Sequence, residues 1–103
     1  MYDLAIIGGG PAGVSAGVYA ARKQLKSVLI AEAIGGQSVD SLDIQNWIGT
    51  PSIAGLDLAK SLDAHLKKYA GDVVDLKLGE RATKVEKKGE SFVVTTNKGS
   101  YEA

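Results

Sequence analysis

The sequence contains no cysteine. That excludes a disulfide scaffold, thiolate zinc ligation, a Cys nucleophile and a redox-active Cys pair within these residues, and it fits a cytoplasmic protein. Histidine occurs once, at His65, so a His-rich metal centre cannot be built and no metal site is expected. Neither sign of charge is in excess: 12 basic and 12 acidic residues balance to zero and are scattered along the chain. Such a balance argues against a nucleic-acid surface or a polybasic membrane anchor. The longest uncharged run, Leu4 to Ala21, has 18 residues, the lower limit for a membrane span. Gly9, Gly13 and Gly17 even give it the small-xxx-small spacing of packed membrane helices. The run nevertheless lacks what a span or a signal peptide requires. Gly8-Gly9-Gly10-Pro11 would break a helix near its middle, and no Lys or Arg precedes the run.

What is present is one domain's worth of chain, 103 residues with 45% hydrophobic content, enough for a core and too much for disorder. Tyr2–Ile7 reads as a short strand buried on both faces of a parallel sheet. Pro11 suits the first position of a following helix over 12–23, rich in alanine and ending in Arg22, Lys23 and Lys26, where cations complement the helix dipole. Ser27–Ala31 is a second buried strand. The stretch 34–55 has no clean period, and a loop of that length in a small domain is usually functional. Leu56–Ala70 is amphipathic, with Leu58, Leu62, Leu66 and Tyr69 on one stripe and Gly71 as its stop. Val73–Leu78 gives a third parallel strand. Beyond it the period falls to two, around Val85, Phe92 and Val94, with turns at Lys88-Gly89 and Asn97-Lys98-Gly99. The predicted fold is α/β: a Rossmann-like βαβαβ parallel sheet over 1–80, doubly wound, with an antiparallel β-meander appended over 81–103.

Between the first strand and the first helix, Gly8, Gly10 and Gly13 match G-x-G-x-x-G. The pattern is weak alone, but here a strand precedes it, a helix follows, and Glu32 ends the next strand 19 residues beyond Gly13. Each position has a physical reason. Gly8 permits the sharp exit from the strand, Gly10 lets backbone approach a pyrophosphate, and Gly13 lets the helix sit tightly on the strands. The helix N-terminus offers free N–H groups and partial positive charge to phosphates. Glu32 would accept hydrogen bonds from ribose hydroxyls and repel a 2′-phosphate, which disfavours NADP at this particular site.

The run "GGGPAGVSAGVYAARK", followed by "GGQ" at Gly35–Gln37 and "QNWIG" at Gln45–Gly49, resembles the low-molecular-weight thioredoxin reductases and their flavoprotein relatives. The resemblance extends from Tyr2 to the end of the sequence. It implies an FAD-binding domain, incomplete here, since the family's strand ending in Ala-Thr-Gly and its Gly-Asp segment would follow "SYEA". By resemblance, Gly8, Gly10, Pro11, Ala12 and Gly13 hold the FAD pyrophosphate and Glu32 the adenosine ribose. Gly36 and Gln37 contact FAD, Asn46 reaches toward the ribityl and isoalloxazine side, and the backbone of Ala82 meets the adenine edge. The loop "GGQSVDSLDIQNW" carries no Cys pair, which sets the chain apart from the lipoamide dehydrogenase and glutathione reductase type.

The expected function is thus the FAD-binding portion of an oxidoreductase that passes hydride from NAD(P)H to FAD and on to a disulfide or other acceptor. FAD is the expected cofactor, with NAD(P)H needed only by the full-length enzyme, a homodimer by resemblance; the chain alone is expected to be inactive. The alternatives are a stand-alone non-catalytic dinucleotide-binding module, or a ferredoxin-NADP reductase-like member of the same family. No catalytic residue is assigned in this stretch. Trp47 and His65 read as a packing residue and a surface residue. An open sheet edge after the third strand would invite self-association.

Overall fold

Five consecutive residues with no polar side chain larger than serine, Ser27–Ala31, form the centre of the molecule as strand β2, and all five are buried. The computed structural model describes all 103 residues. On one side β2 pairs in parallel with β1 (Leu4–Ile7), placing Ile6 opposite Leu29; on the other it pairs in parallel with β3 (Val74–Leu78), placing Leu76 opposite Leu29. A strand with partners on both edges and covered on both faces has no position for a charged side chain, which is why its sequence is a continuous apolar run.

The connection from β1 to β2 contains helix α1 (Pro11–Arg22), and that from β2 to β3 contains α2 (Gly55–Ala70). Val14, Val18 and Ala21 of α1 and Leu58, Leu62, Leu66 and Ala70 of α2 join Ile6, Leu29, Ala31 and Val74 in one core. Both helices therefore lie on the same face of the sheet. The strand order β1-β2-β3 steps twice in one direction, and right-handed crossovers stepping the same way deposit their helices on the same side. The doubly wound arrangement expected from the sequence is accordingly corrected to a single helical layer.

The opposite face is taken by the meander. Strands β4 (Ala82–Lys88), β5 (Ser91–Thr96) and β6 (Ser100–Glu102) form a separate antiparallel sheet. Val94 packs on Val28 and Ile30, with Tyr2, Ala5, Ala82 and Tyr101 around them. Alternation along β2 divides the work: Leu29 and Ala31 face the helices, Val28 and Ile30 the meander. The result is three layers, helix over parallel sheet over antiparallel sheet.

Close approach of α1 to α2 depends on Gly17, where a Cβ would stand 2.7 Å from Leu66 Cδ1 and 3.4 Å from Leu29 Cδ1. Of the Gly9, Gly13, Gly17 spacing, only Gly17 mediates helix–helix contact, because Gly9 precedes the helix. The expected stripe on α2 is also revised at one place. Tyr69 is 40% exposed and meets the His65 ring in a tilted contact at 5.5 Å, while Ala70 takes the buried position. Gly71, at φ +43°, ends the helix as expected. The aperiodic stretch after β2 holds a short 3₁₀ turn (Gly36–Asp40) and a bridge between Ile44 and Ile53, and it packs Ile34, Ile44 and Trp47 onto the helical core.

The sheet has two open edges, since β1 and β3 each pair only with β2. The edge at β1 is the more apolar. Leu4, Ala5 and Ile7 line a groove of about 310 Å³ there with Val85, Phe92 and Val94 of the meander, and Ile7, Val85 and Phe92 are roughly half exposed. No helix is long and apolar enough to cross a membrane.

Leu66 is fully buried where α1, α2 and β2 meet. Truncation to alanine at such a site costs about 2–5 kcal/mol. Leu66→Ala is therefore expected to lower the urea midpoint of unfolding by that equivalent, with an unchanged m-value.

Candidate cofactor site

The site is built where β1 runs into α1. Gly8 leaves the strand at φ +119°, a conformation L side chains rarely adopt, and its N–H is held by the Ile30 carbonyl at 2.9 Å. A Cβ on Gly13 would fall deep inside contact distance of the Gly8 carbonyl oxygen, so the first turn of the helix rests directly on the turn that feeds it. Gly10, the residue before the helix, has nothing within 4 Å of where its Cβ would be, which leaves backbone open to whatever occupies that space. Pro11 takes the first helical position, and Val14 N–H to Gly10 C=O at 2.9 Å closes the first turn. No side chain caps this helix, and no acidic residue lies in its first turn. Its N–H groups and dipole are thus left for an external anion.

Beside this turn is a cavity of about 390 Å³ that includes Gly8, Gly9, Glu32, Ile34, Gly36 and Gln37 in its walls. A smaller groove of about 160 Å³ continues from it past Gly8, Ala31 and Glu32 to Glu80, Arg81 and Ala82. Of the residues singled out in the sequence, Gly8, Glu32, Gly36, Gln37 and Ala82 are therefore brought to one continuous surface. Gly10, Pro11, Ala12 and Gly13 stand next to it at the head of α1. Asn46 is exposed on the loop between Ile44 and Ile53 and borders neither cavity. Trp47 packs on the core, and His65 lies at the surface.

Glu32 is exposed, and the two ion pairs of the chain, Lys67–Asp63 and Lys84–Glu86, leave it free. Its backbone is fixed, because the Gly79 N–H donates to its carbonyl at 3.0 Å. A carboxylate on a rigid backbone at the wall of a cavity that also includes Gly8 and Gly9, which lead into a helix N-terminus lacking any acid of its own, suits a ligand with hydroxyls at one end and phosphates at the other. FAD and NAD both have that shape, and the open space at Gly10 fits their pyrophosphate.

Sequence reasoning missed two contributors. Gly9 is as constrained as its neighbours: a Cβ there would strike the Ala33 carbonyl, and its own carbonyl accepts the Gly35 N–H at 2.6 Å. This bond ties the glycine turn to the "GGQ" segment. Glu80 is the second, and its only signal is an acid at the end of a strand. It is 6% exposed. Its carboxylate accepts the Thr96 hydroxyl at 2.8 Å and the Tyr101 hydroxyl at 2.8 and 2.9 Å. These two donors, the Thr96 bond foremost, hold the Glu80 carboxyl below the usual carboxylate range, helped by Lys77 and Lys98 against an opposing effect of burial. Burial, then the bond to Glu80, pushes the Tyr101 hydroxyl up. Close by, Tyr2 donates to Asp75 at 2.6 Å, and that bond raises its pKa to about 12.

The family profile described as pyridine nucleotide-disulphide oxidoreductase matches residues 2–103. The chain belongs to that family. Among curated members, NADH dehydrogenase of Bacillus subtilis is 44% identical over 87 residues, which make up 84% of this chain and 16% of that protein. A component of the alkyl hydroperoxide reductase of Staphylococcus aureus is 40% identical over 99 residues, 96% of this chain and 19% of that one. Solved structures of family enzymes superpose closely. Thioredoxin reductase of Streptococcus pyogenes gives a TM-score of 0.88 at 39% identity, covering 99% of this chain and 32% of its own. That of Lactococcus lactis gives 0.90 at 29%, covering 99% and 33%. The chain thus spans about a third of those structures and less than a fifth of the curated relatives. Within the pyridine nucleotide-disulphide oxidoreductases, the Rossmann-like sheet and flavoprotein character read from the sequence are in place.

The depressed Glu80 carboxyl makes stability depend on pH in a defined direction. A group whose pKa is lower folded than unfolded contributes stability that is present above its unfolded pKa and lost as pH falls through its folded one. Urea midpoints are expected to fall on acidification through and below the usual carboxylate range. In Glu80→Gln, which cannot titrate, that portion of the slope is expected to vanish.

Proposed function

We propose that this chain is the FAD-binding portion of an NAD(P)H-dependent flavoprotein oxidoreductase resembling thioredoxin reductase. The observation that carries the reading is the shared groove, in which the glycine turn feeding an uncapped, acid-free helix N-terminus meets Glu32. Of the set Gly8, Gly10, Pro11, Ala12 and Gly13 that forms the pyrophosphate cradle, Gly10, Ala12 and Gly13 offer backbone N–H groups with the helix dipole behind them, while Gly8 shapes the turn and Pro11, which has no N–H, starts the helix. The Glu32 carboxylate accepts the adenosine ribose hydroxyls, Ala82 meets the adenine edge, and Gly36 and Gln37 line the path between. Asn46, exposed on its loop, serves the flavin end.

When bound, the flavin supplies the two-electron chemistry that links NAD(P)H to a disulfide or another acceptor. The residues of this chain bind and orient; they keep the adenosine and pyrophosphate fixed so that the reactive ring is presented in one pose. At this site the charge of Glu32 also repels a 2′-phosphate and favours an unphosphorylated ribose, as FAD has. The full enzyme acts as a homodimer in the cytoplasm. Taken alone, the 103-residue chain is expected to self-associate through the apolar groove at β1, so its sedimentation coefficient should rise with concentration and Phe92→Lys should suppress the rise.

The test of the site is titration with ADP, which contains the adenosine and pyrophosphate but no flavin. Losing charge-assisted hydrogen bonds to the ribose corresponds to about a tenfold weaker Kd. Glu32→Ala is expected to show that loss with an unchanged thermal midpoint. An affinity equal to that of the parent chain would remove the ribose assignment.

A further inference from the structure

The segment Gly79–Glu80–Arg81–Ala82 is held more firmly than a connection between two sheets requires. The N–H groups of Gly79 and Glu80 donate to the carbonyls of Glu32 and Ala31 at 3.0 and 3.3 Å, which fastens the segment to the end of β2. Arg81 has both backbone groups committed to Asn97: its N–H donates to the side-chain Oδ1 at 2.9 Å, and its carbonyl accepts the Asn97 N–H at 3.2 Å. Glu80 then adds a side-chain clasp into the second sheet. Its Oε1 accepts from Thr96 in β5 and Tyr101 in β6, and Oε2 accepts from Tyr101 again. Thr96 Oγ1 is itself saturated, accepting the N–H groups of Lys98 and Gly99 at 3.0 and 3.1 Å. Lys77 of β3 sits over the Tyr101 ring at 5.8 Å, and no buried polar side-chain atom is left without a partner.

A buried carboxylate is an expensive way to join two sheets when apolar contacts would do. What it gives in return is directional precision, and the precision falls at one place. The groove that runs from Gly8 past Glu32 ends on Glu80, Arg81 and Ala82. Beside the exposed Arg81, Ala82 borders the groove with a methyl side chain that forms no hydrogen bond, so recognition at Ala82 falls to its backbone, and a backbone can be aimed only by what holds it.

We propose that Glu80 is a positioning residue for the adenosine end of the groove. It sets the Arg81–Ala82 backbone at a fixed distance from Glu32, so that adenine and ribose are recognised together. The role rests on reading the groove as a dinucleotide site. Glu80 touches no ligand; it acts through Thr96 and Tyr101 on the strand that does.

The experiment follows backbone amide resonances of the ¹⁵N-labelled chain during titration with ADP, and separately with inorganic pyrophosphate. In the parent chain, ADP is expected to shift Gly10, Ala12, Gly13, Glu32 and Arg81–Ala82. In Glu80→Ala the pyrophosphate response at Gly10, Ala12 and Gly13 and its Kd should be unchanged. The ADP response at Arg81–Ala82 should disappear, and the ADP Kd should weaken about fivefold, the scale of a lost ordered contact. Glu80→Gln, whose Oε1 still accepts from Thr96 and Tyr101, should restore both. Should Glu80→Ala not fold, Tyr101→Phe removes one clasp donor and keeps the ring, with about a twofold loss expected at the same amides. A folded Glu80→Ala or Tyr101→Phe chain that binds ADP like the parent overturns the positioning role and leaves the groove reading standing. Absence of any ADP response at Gly10, Ala12 and Gly13 in the parent chain overturns the groove reading, and the positioning role with it.

Discussion

The contact between Gly13 and the Gly8 carbonyl is the constraint on which the rest of the molecule depends. Helix α1 can start directly on top of the strand it follows only if no side chain intervenes, and a single methyl group would fall on a backbone oxygen. With that contact made, the helix axis is fixed, Val14 and Val18 reach the core, and Gly17 brings α1 down onto Leu66. The same contact leaves the helix N-terminus open at the molecular surface, because the chain enters it from beneath. Fold and site therefore share one cause. A side chain at Gly13 would lift the helix off the turn and misplace the phosphate-binding groups with it.

Conformational selection at the turn is reinforced from two directions. The Gly35 N–H bond to the Gly9 carbonyl draws the "GGQ" loop against the turn, and the Gly8 N–H bond to Ile30 holds it to β2. On the far side of the groove, Glu80 and Asn97 hold the start of the meander. The cavity wall is thus formed by backbone from four separate segments, each hydrogen-bonded to another. Glu32 and Gln37 are its polar side chains, and Ala31, Ala33, Ile34 and Val39 add an apolar surface between them. Backbone donors suit the phosphates of such a cofactor, and the apolar side chains suit the flat faces of its rings.

Much of this was legible in the sequence, for reasons that can be stated residue by residue. "SVLIA" can only be a strand covered on both faces, and it is β2 with its boundaries as read. Gly8, Gly10 and Gly13 announce the turn because backbone geometry forbids most alternatives there. Glu32 was legible because it ends the next strand. Other features depend on which elements meet in space. That both helices share one face follows from strand order, which local pattern does not encode. Tyr69 lost its buried place to Ala70, which continues the four-residue spacing of Leu58, Leu62 and Leu66 along the buried face of α2. Glu80 could not be recognised, because its partners Thr96 and Tyr101 belong to strands whose pairing is unreadable until the meander has folded.

Strand β2 also has a kinetic meaning. Its neighbours in the sheet come from both directions along the sequence, and its two faces are sealed by residues as far apart as Ile6 and Tyr101. No local piece of the chain can bury it. Until Val94 and Tyr101 arrive, Val28 and Ile30 face water, and the strand most suited to forming a sheet is the one most exposed to pairing with the wrong neighbour. Folding that waits on such long-range contacts is slow, so β2, the most protected element of the finished domain, is its most vulnerable one during synthesis.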